Sequence, residues 1–122
     1  MVDRTDRQHE ACLRAFEAFA GNLVTSWPVI SEAFHLLRRP DERNFLWKVI
    51  LTRGIGVADL LFEDLTRMML LMKKYSDQPM DLADASLVVL AERFVLRKVF
   101  TLDKRHFSVY RPRHTGYFEL FP

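Results

Sequence analysis

The stretch Met80–Phe107, MDLADASLVVLAERFVLRKVFTLDKRHF, decides how the rest of the chain reads. Leu82, Leu87, Val88, Leu90, Ala91 and Phe94 recur at spacings of three and four, which predicts a buried helix opening at Asp81 and closing near Phe94. Val99–Leu102 is a short β-branched and aromatic run that predicts a buried strand. A strand so soon after a helix points to an α/β layer whose strand opens, at its carboxyl end, into a polar crevice. Asp103 stands at that end, and Asp81 and Asp84 share one face at the head of the helix. Carboxylates gathered in this way hold a hard divalent cation, magnesium or manganese, through oxygen ligands. Each also has a local reading: Asp81 and Asp84 as cap and first-turn charge, Asp103 as the opening of a turn. The residues by themselves leave both readings open.

Working outward, the 122 residues suffice for one domain with a single core, and no repeat, low-complexity tract or composition break divides residues 1–122. The formal charge of +2, from 18 basic and 16 acidic side chains, is too small to imply nucleic-acid binding, so local clusters carry that question. A lone Cys12 excludes an intramolecular disulfide and fits a reducing compartment. Met1–Glu10 is polar, unlike a signal peptide, and no apolar run reaches the ~18 residues that span a bilayer. The expectation is a soluble cytoplasmic protein with no membrane association.

Upstream of the opening stretch, helices alternate with short strands. Gln8–Ala20 carries one apolar stripe of Cys12, Ala15, Phe16 and Phe19 before Gly21-Asn22 ends it. Leu23–Thr25 is a strand candidate, and Ser26 caps a helix with Pro28 in its first turn and Ile30, Ala33, Phe34 and Leu37 inward. Glu32 on that helix shares a rim with Asp103 if the strands are parallel; otherwise it is an exposed carboxylate beside His35 or Arg39. Pro40 starts a new segment, and Asp41–Thr52 is a helix with Phe45, Leu46, Val49 and Ile50 inward and Gly54 behind it. Ile55–Leu60 holds a small strand, and Phe62–Tyr75 is an amphipathic helix with Leu65, Met68, Met69 and Met72 as its core stripe. Ser76–Pro79 is a linker, and Tyr117–Phe121 is a closing edge strand. The alternation argues for an α/β sandwich with a mostly parallel, short-stranded sheet and helices on both faces.

Three pieces together resemble the PIN-domain proteins, the fold of the VapC-type toxin ribonucleases: TSWPVISEA at Thr25–Ala33, MDLADASLVVLAE at Met80–Glu92 and VFTLDKRHF at Val99–Phe107. Their order and spacing cover nearly the whole chain. The resemblance implies a PIN-like three-layer α/β/α sandwich and a metal-dependent endoribonuclease with one or two magnesium or manganese ions on Glu32, Asp84 and Asp103. Asp81 matches an accessory acidic position, and Thr101 matches a polar residue lining the same pocket.

One departure stands out. Family members usually open with a hydrophobic central strand ending in aspartate and then Thr or Ser, whereas this chain opens Met1-Val2-Asp3-Arg4-Thr5-Asp6-Arg7. The first central strand and one acidic ligand are therefore expected to be missing, leaving two open sheet edges beside an apolar gap, a costly arrangement that a homo-oligomer would close.

On this reading RNA is the substrate and an antitoxin protein a partner. Lys104, Arg105 and His106 follow Asp103 directly, with Arg111, Arg113 and His114 further on, and such groups meet phosphates without reading bases. Lys104, Arg105 and Arg111 are the backbone-contact candidates beside Thr101, and Tyr110 and Trp27 are candidates for base stacking or for packing. The alternatives are a catalytically inactive PIN-fold interaction protein and a truncated nuclease.

Overall fold

A computed structural model describes residues 23–78, 80–101 and 107–121. The described elements run β1 (Val24–Thr25), α1 (Trp27–Leu36), α2 (Pro40–Leu51), β2 (Gly56–Val57), α3 (Phe62–Lys74), α4 (Leu82–Phe94), β3 (Lys98–Phe100) and β4 (Glu119–Phe121). Every pairing among them is parallel: β1 with β2 in the register Val24↔Gly56, and β3 with β4 in the register Val99↔Leu120. The mostly parallel α/β architecture expected from the sequence is the one observed.

Local chemistry sets the boundaries. Ser26 is extended at φ −121°, and its Oγ accepts from the Val29 amide, so α1 starts one residue after β1 ends. Pro40 occupies the first position of α2, where its missing N–H costs nothing. Arg43 then reaches back from α2 and donates to the Leu37 and Phe34 carbonyls at 2.8 and 3.0 Å, satisfying the frayed end of α1. Asp64 plays the reciprocal role at the head of α3, accepting from the Leu61 amide at 2.8 Å. Asp81 caps α4, and Val95 closes it in the left-handed region at φ 56°, with the Leu96 amide donating to Ala91 O at 2.8 Å. A β-branched residue is strained there, which a glycine would not be.

α4 is the central element. Ala83, Ala85, Ser86, Val88, Val89, Leu90 and Ala91 are all buried along it. One core cluster joins Val88 and Val89 to Met68 and Leu71 of α3, to Tyr75, and to Phe107, Tyr110 and Phe118 beyond β3. α3 runs antiparallel to α4, since Arg67 meets Glu92 whereas Tyr75 lies beside Tyr110 near the head of α4.

Three expectations change. The buried stripe of α3 is Met68 and Leu71, while Leu65 and Met69 are each 47% exposed; Leu71 and Tyr75, not the outer residues, complete the face that meets α4. Phe45 in α2 is 55% exposed, and Val49 is the buried residue of that helix. β3 begins at Lys98, one residue before the expected start, and Leu102 lies outside the described residues.

The two strand pairs do not join into one sheet among the described residues. An apolar cavity of about 450 Å³ lies between them, lined by Val24 and Thr25 of β1, Lys98 and Val99 of β3, and Leu87 and Leu90 of α4. The expected absence of a first strand falls on residues 1–22, which lie outside the described residues.

Candidate functional site

The head of α4 collects the polar groups that the sequence singles out there. Asp81 is exposed and accepts the Asp84 amide on Oδ1 at 2.8 Å, the bond that starts the helix. Asp84, in the first turn, is half-buried, and its Oδ2 accepts the Tyr110 hydroxyl at 3.0 Å. Negative charge in this turn is favoured by the unpaired amides of the helix start.

The head of α1 is fastened to the same place. Ser26 Oγ and Ser86 Oγ lie 2.6 Å apart and both residues are fully buried. Ser86 Oγ donates to Ala83 O at 2.7 Å, so its proton is committed, and the Ser26 hydroxyl is the donor across the pair. The carboxyl end of β1, the start of α1 and the start of α4 therefore share one rim. Thr101 directly follows β3 and is partly buried.

Glu32 is exposed on α1. Among the described residues no three His, Cys, Asp or Glu side chains gather into a group able to hold a metal ion. Asp103, Lys104 and Arg105 lie outside the described residues, as does His106. The polar atoms at the head of α4 are carboxylate and hydroxyl oxygens, a donor chemistry that suits a hard divalent cation.

The basic residues beyond Phe107 divide between the two ends of α4. Arg111 is exposed, its amide donates to Tyr75 Oη at 2.8 Å, and its guanidinium donates to Ser108 O and Tyr110 O. Arg113 and His114 belong to the opposite end, a correction to their grouping with the phosphate-facing residues. The Arg113 amide donates to Glu92 Oε2 at 2.7 Å, and His114 Nε2 donates to Leu96 O at 2.6 Å. Glu92 lies eight residues beyond Asp84, about 12 Å along the helix axis.

That far end is a closed charge cluster. Arg67 grips Glu92 with two bonds of 3.0 and 2.8 Å, and Arg93 pairs with Asp64 and donates to Asp59 O. Burial pushes the Glu92 carboxyl up, but the Arg67 guanidinium and the Arg113 amide outweigh it and hold the group below the usual range. The same hydrogen bond raises the Arg67 guanidinium further. Glu92 is thereby committed to joining α3, α4 and the Arg113 loop.

Tyr110 is fully buried, so it packs and does not offer a stacking face to a base. Trp27 is 52% exposed. The Tyr110–Asp84 bond, the Ser26–Ser86 pair and the Glu92 cluster are not evident in the sequence. Ser86 alone carried a signal, being a polar residue inside an otherwise apolar helix run.

This arrangement is that of a known class. The family model for the PIN domain matches residues 1–112, and the chain belongs to the PIN-domain family. Among curated proteins it is similar to Ribonuclease VapC26 of Mycobacterium tuberculosis (strain ATCC 25618 / H37Rv), at 30% identity over 123 residues, covering 98% of this chain and 91% of that protein. No helix among the described residues is long and apolar enough to cross a membrane.

Proposed function

We propose that this protein is a metal-dependent endoribonuclease and the toxin of a toxin–antitoxin pair. The observation that carries the reading is Asp84, a half-buried carboxylate held by a buried tyrosine at the head of the central helix of a PIN domain. The similarity to a protein named as a ribonuclease supports RNA as the substrate.

On this reading Asp84, Asp103 and Glu32 hold magnesium or manganese, with Asp81 as an accessory acid. The bound ion supplies charge neutralisation and orientation of the phosphodiester and of water. Thr101 borders the pocket, and Lys104, Arg105 and Arg111 hold the RNA backbone by charge, without reading sequence. An antitoxin or a second copy of the chain is the proposed protein partner. Support for such a contact comes from Leu36, Leu51 and Phe62, which are 69%, 75% and 86% exposed.

The alternative reading is a catalytically inactive PIN-fold interaction protein. One assay separates the two. Single-stranded and structured RNA are incubated with manganese and either this protein or an Asp84→Asn, Asp103→Asn double variant. Cleavage by the parent, reduced to background in the variant, is the expected result. Equal cleavage by both points to a contaminating nuclease, and no cleavage by either leaves the interaction protein as the reading.

A further inference from the structure

We propose that Trp27 is a stacking platform for one base of the RNA substrate, beside the head of α4; this rests on the RNA reading above and is independent of a bound metal.

The place of Trp27 is fixed from behind. It is the first residue of α1, directly after the fully buried Ser26. Ser26 Oγ lies 2.6 Å from Oγ of Ser86, two residues past Asp84 on α4, and this tie sets the head of α1 against the head of α4. The indole itself is 52% exposed and enters no ring pair or side-chain hydrogen bond among the described residues. Trp47, by contrast, is 49% exposed but leans on Phe34, with ring centroids 4.9 Å apart. Tyr110 and Phe107 are buried, so among the described residues Trp27 is the aromatic side chain with an open face at this rim.

A single exposed apolar ring is common on protein surfaces. The company of Trp27 is what points to a ligand. Along the outer line of α1 it is followed, at successive spacings of four, by Ser31 and His35, both exposed and polar. An anchor for a protein partner sits instead in an apolar, desolvated centre. On the other side of the α4 head stands Arg111, directly after Tyr110, whose hydroxyl reaches Asp84 Oδ2 at 3.0 Å. Asp84 and Ser86 are about 200° apart around the helix, so Trp27 and Arg111 approach its head from opposite sides, separated by roughly one helix diameter of 10–12 Å. The Arg111 guanidinium is exposed, donates to the Ser108 and Tyr110 carbonyls, and meets no carboxylate among the described residues. An aromatic face for a base together with an uncompensated cation for the backbone is how proteins hold single-stranded nucleic acid. Every base has a π face, so Trp27 adds affinity without reading sequence.

The test is binding of a mixed-sequence single-stranded oligoribonucleotide to the full chain in EDTA, so that the RNA stays uncut and no metal enters. The chain has two tryptophans, and Trp47→Phe keeps a ring against Phe34 while leaving Trp27 as the only emitter. RNA should quench that emission, and should not quench Trp27→Phe, in which Trp47 alone emits. The dissociation constant of Trp27→Ala should rise about tenfold, the scale of stacking one base on an aromatic ring. Trp27→Phe should stay near the parent, and an abasic chain of equal length should bind the parent and Trp27→Ala alike. Unchanged RNA affinity in Trp27→Ala overturns the proposal while the RNA reading stands; if sedimentation then shows altered self-association, the ring belongs to a protein contact. Equal weakening for the abasic chain also overturns it, because the loss is then not one of stacking. If the parent protein binds no RNA, the RNA reading fails and takes the proposal with it.

Discussion

The two flanks of α4 are built differently. Toward α3 and the Phe107–Phe118 segment, Val88, Leu71 and Tyr110 have no exposure at all, and aliphatic and aromatic side chains close on each other. Toward the strands, Leu87, Leu90 and Ala91 border the apolar cavity, and further out α2 leaves Trp47 and Leu51 at 49% and 75% exposed. Both flanks are apolar in composition, so hydrophobicity does not distinguish them. Packing does: the first flank closes side chain on side chain, whereas the second borders a cavity and, further out, leaves α2 side chains exposed.

The sharpest way to break that comparison is to truncate one leucine on each side. Leu71→Ala should cost about 2–5 kcal/mol in urea unfolding, because it removes packed atoms and leaves a void. Leu51→Ala, on the open side, should stay within about 0.5 kcal/mol. Equal losses would mean that the two flanks are equally packed in solution.

A smaller effect is expected at the seam between them, where Ser26 and Ser86 join α1 to α4. Ser86→Ala leaves the buried Ser26 hydroxyl without its acceptor and should cost about 1–3 kcal/mol. In a double-mutant cycle with Ser26→Ala the two losses should sum to more than the double variant's loss; strict additivity would deny that the pair acts as a unit.

The smallest effect lies at the end of α4. Val95→Gly relieves the left-handed strain and should raise stability by about 1 kcal/mol, partly offset by the greater backbone freedom of glycine when unfolded. A lower melting temperature would show that the exposed valine side chain makes contacts that outweigh the strain.

The helices and their order are legible in the sequence because aliphatic spacing and caps act locally. Ser26, Pro40 and Asp81 mark starts through their own backbone chemistry, and α4 begins and ends where its pattern predicts. The inward face of α3 is less legible, because Leu65, Met68, Met69, Leu70, Leu71 and Met72 place apolar groups nearly all round the helix. Only the partner surface selects Met68 and Leu71. The acids at the head of α4 stand out in the sequence, but what holds Asp84 does not. Tyr110 lies 26 residues away in a segment of Arg, Pro and His that reads as a solvated loop. Its burial depends on Tyr75 and Phe107 closing around it, a tertiary event with no local periodicity.

The segment that carries Tyr110 is fastened along the length of α4. The Tyr110 hydroxyl holds to Asp84, the Arg111 amide to Tyr75, the Arg113 amide to Glu92 and the His114 ring to Leu96 O. Amide hydrogens at 111 and 113 consequently exchange with solvent only when this fastening opens, as in a helix, although the segment has no repeating backbone pattern. An irregular loop of exposed arginines is in this respect part of the scaffold, and its opening reports on the closure of the α3–α4 core.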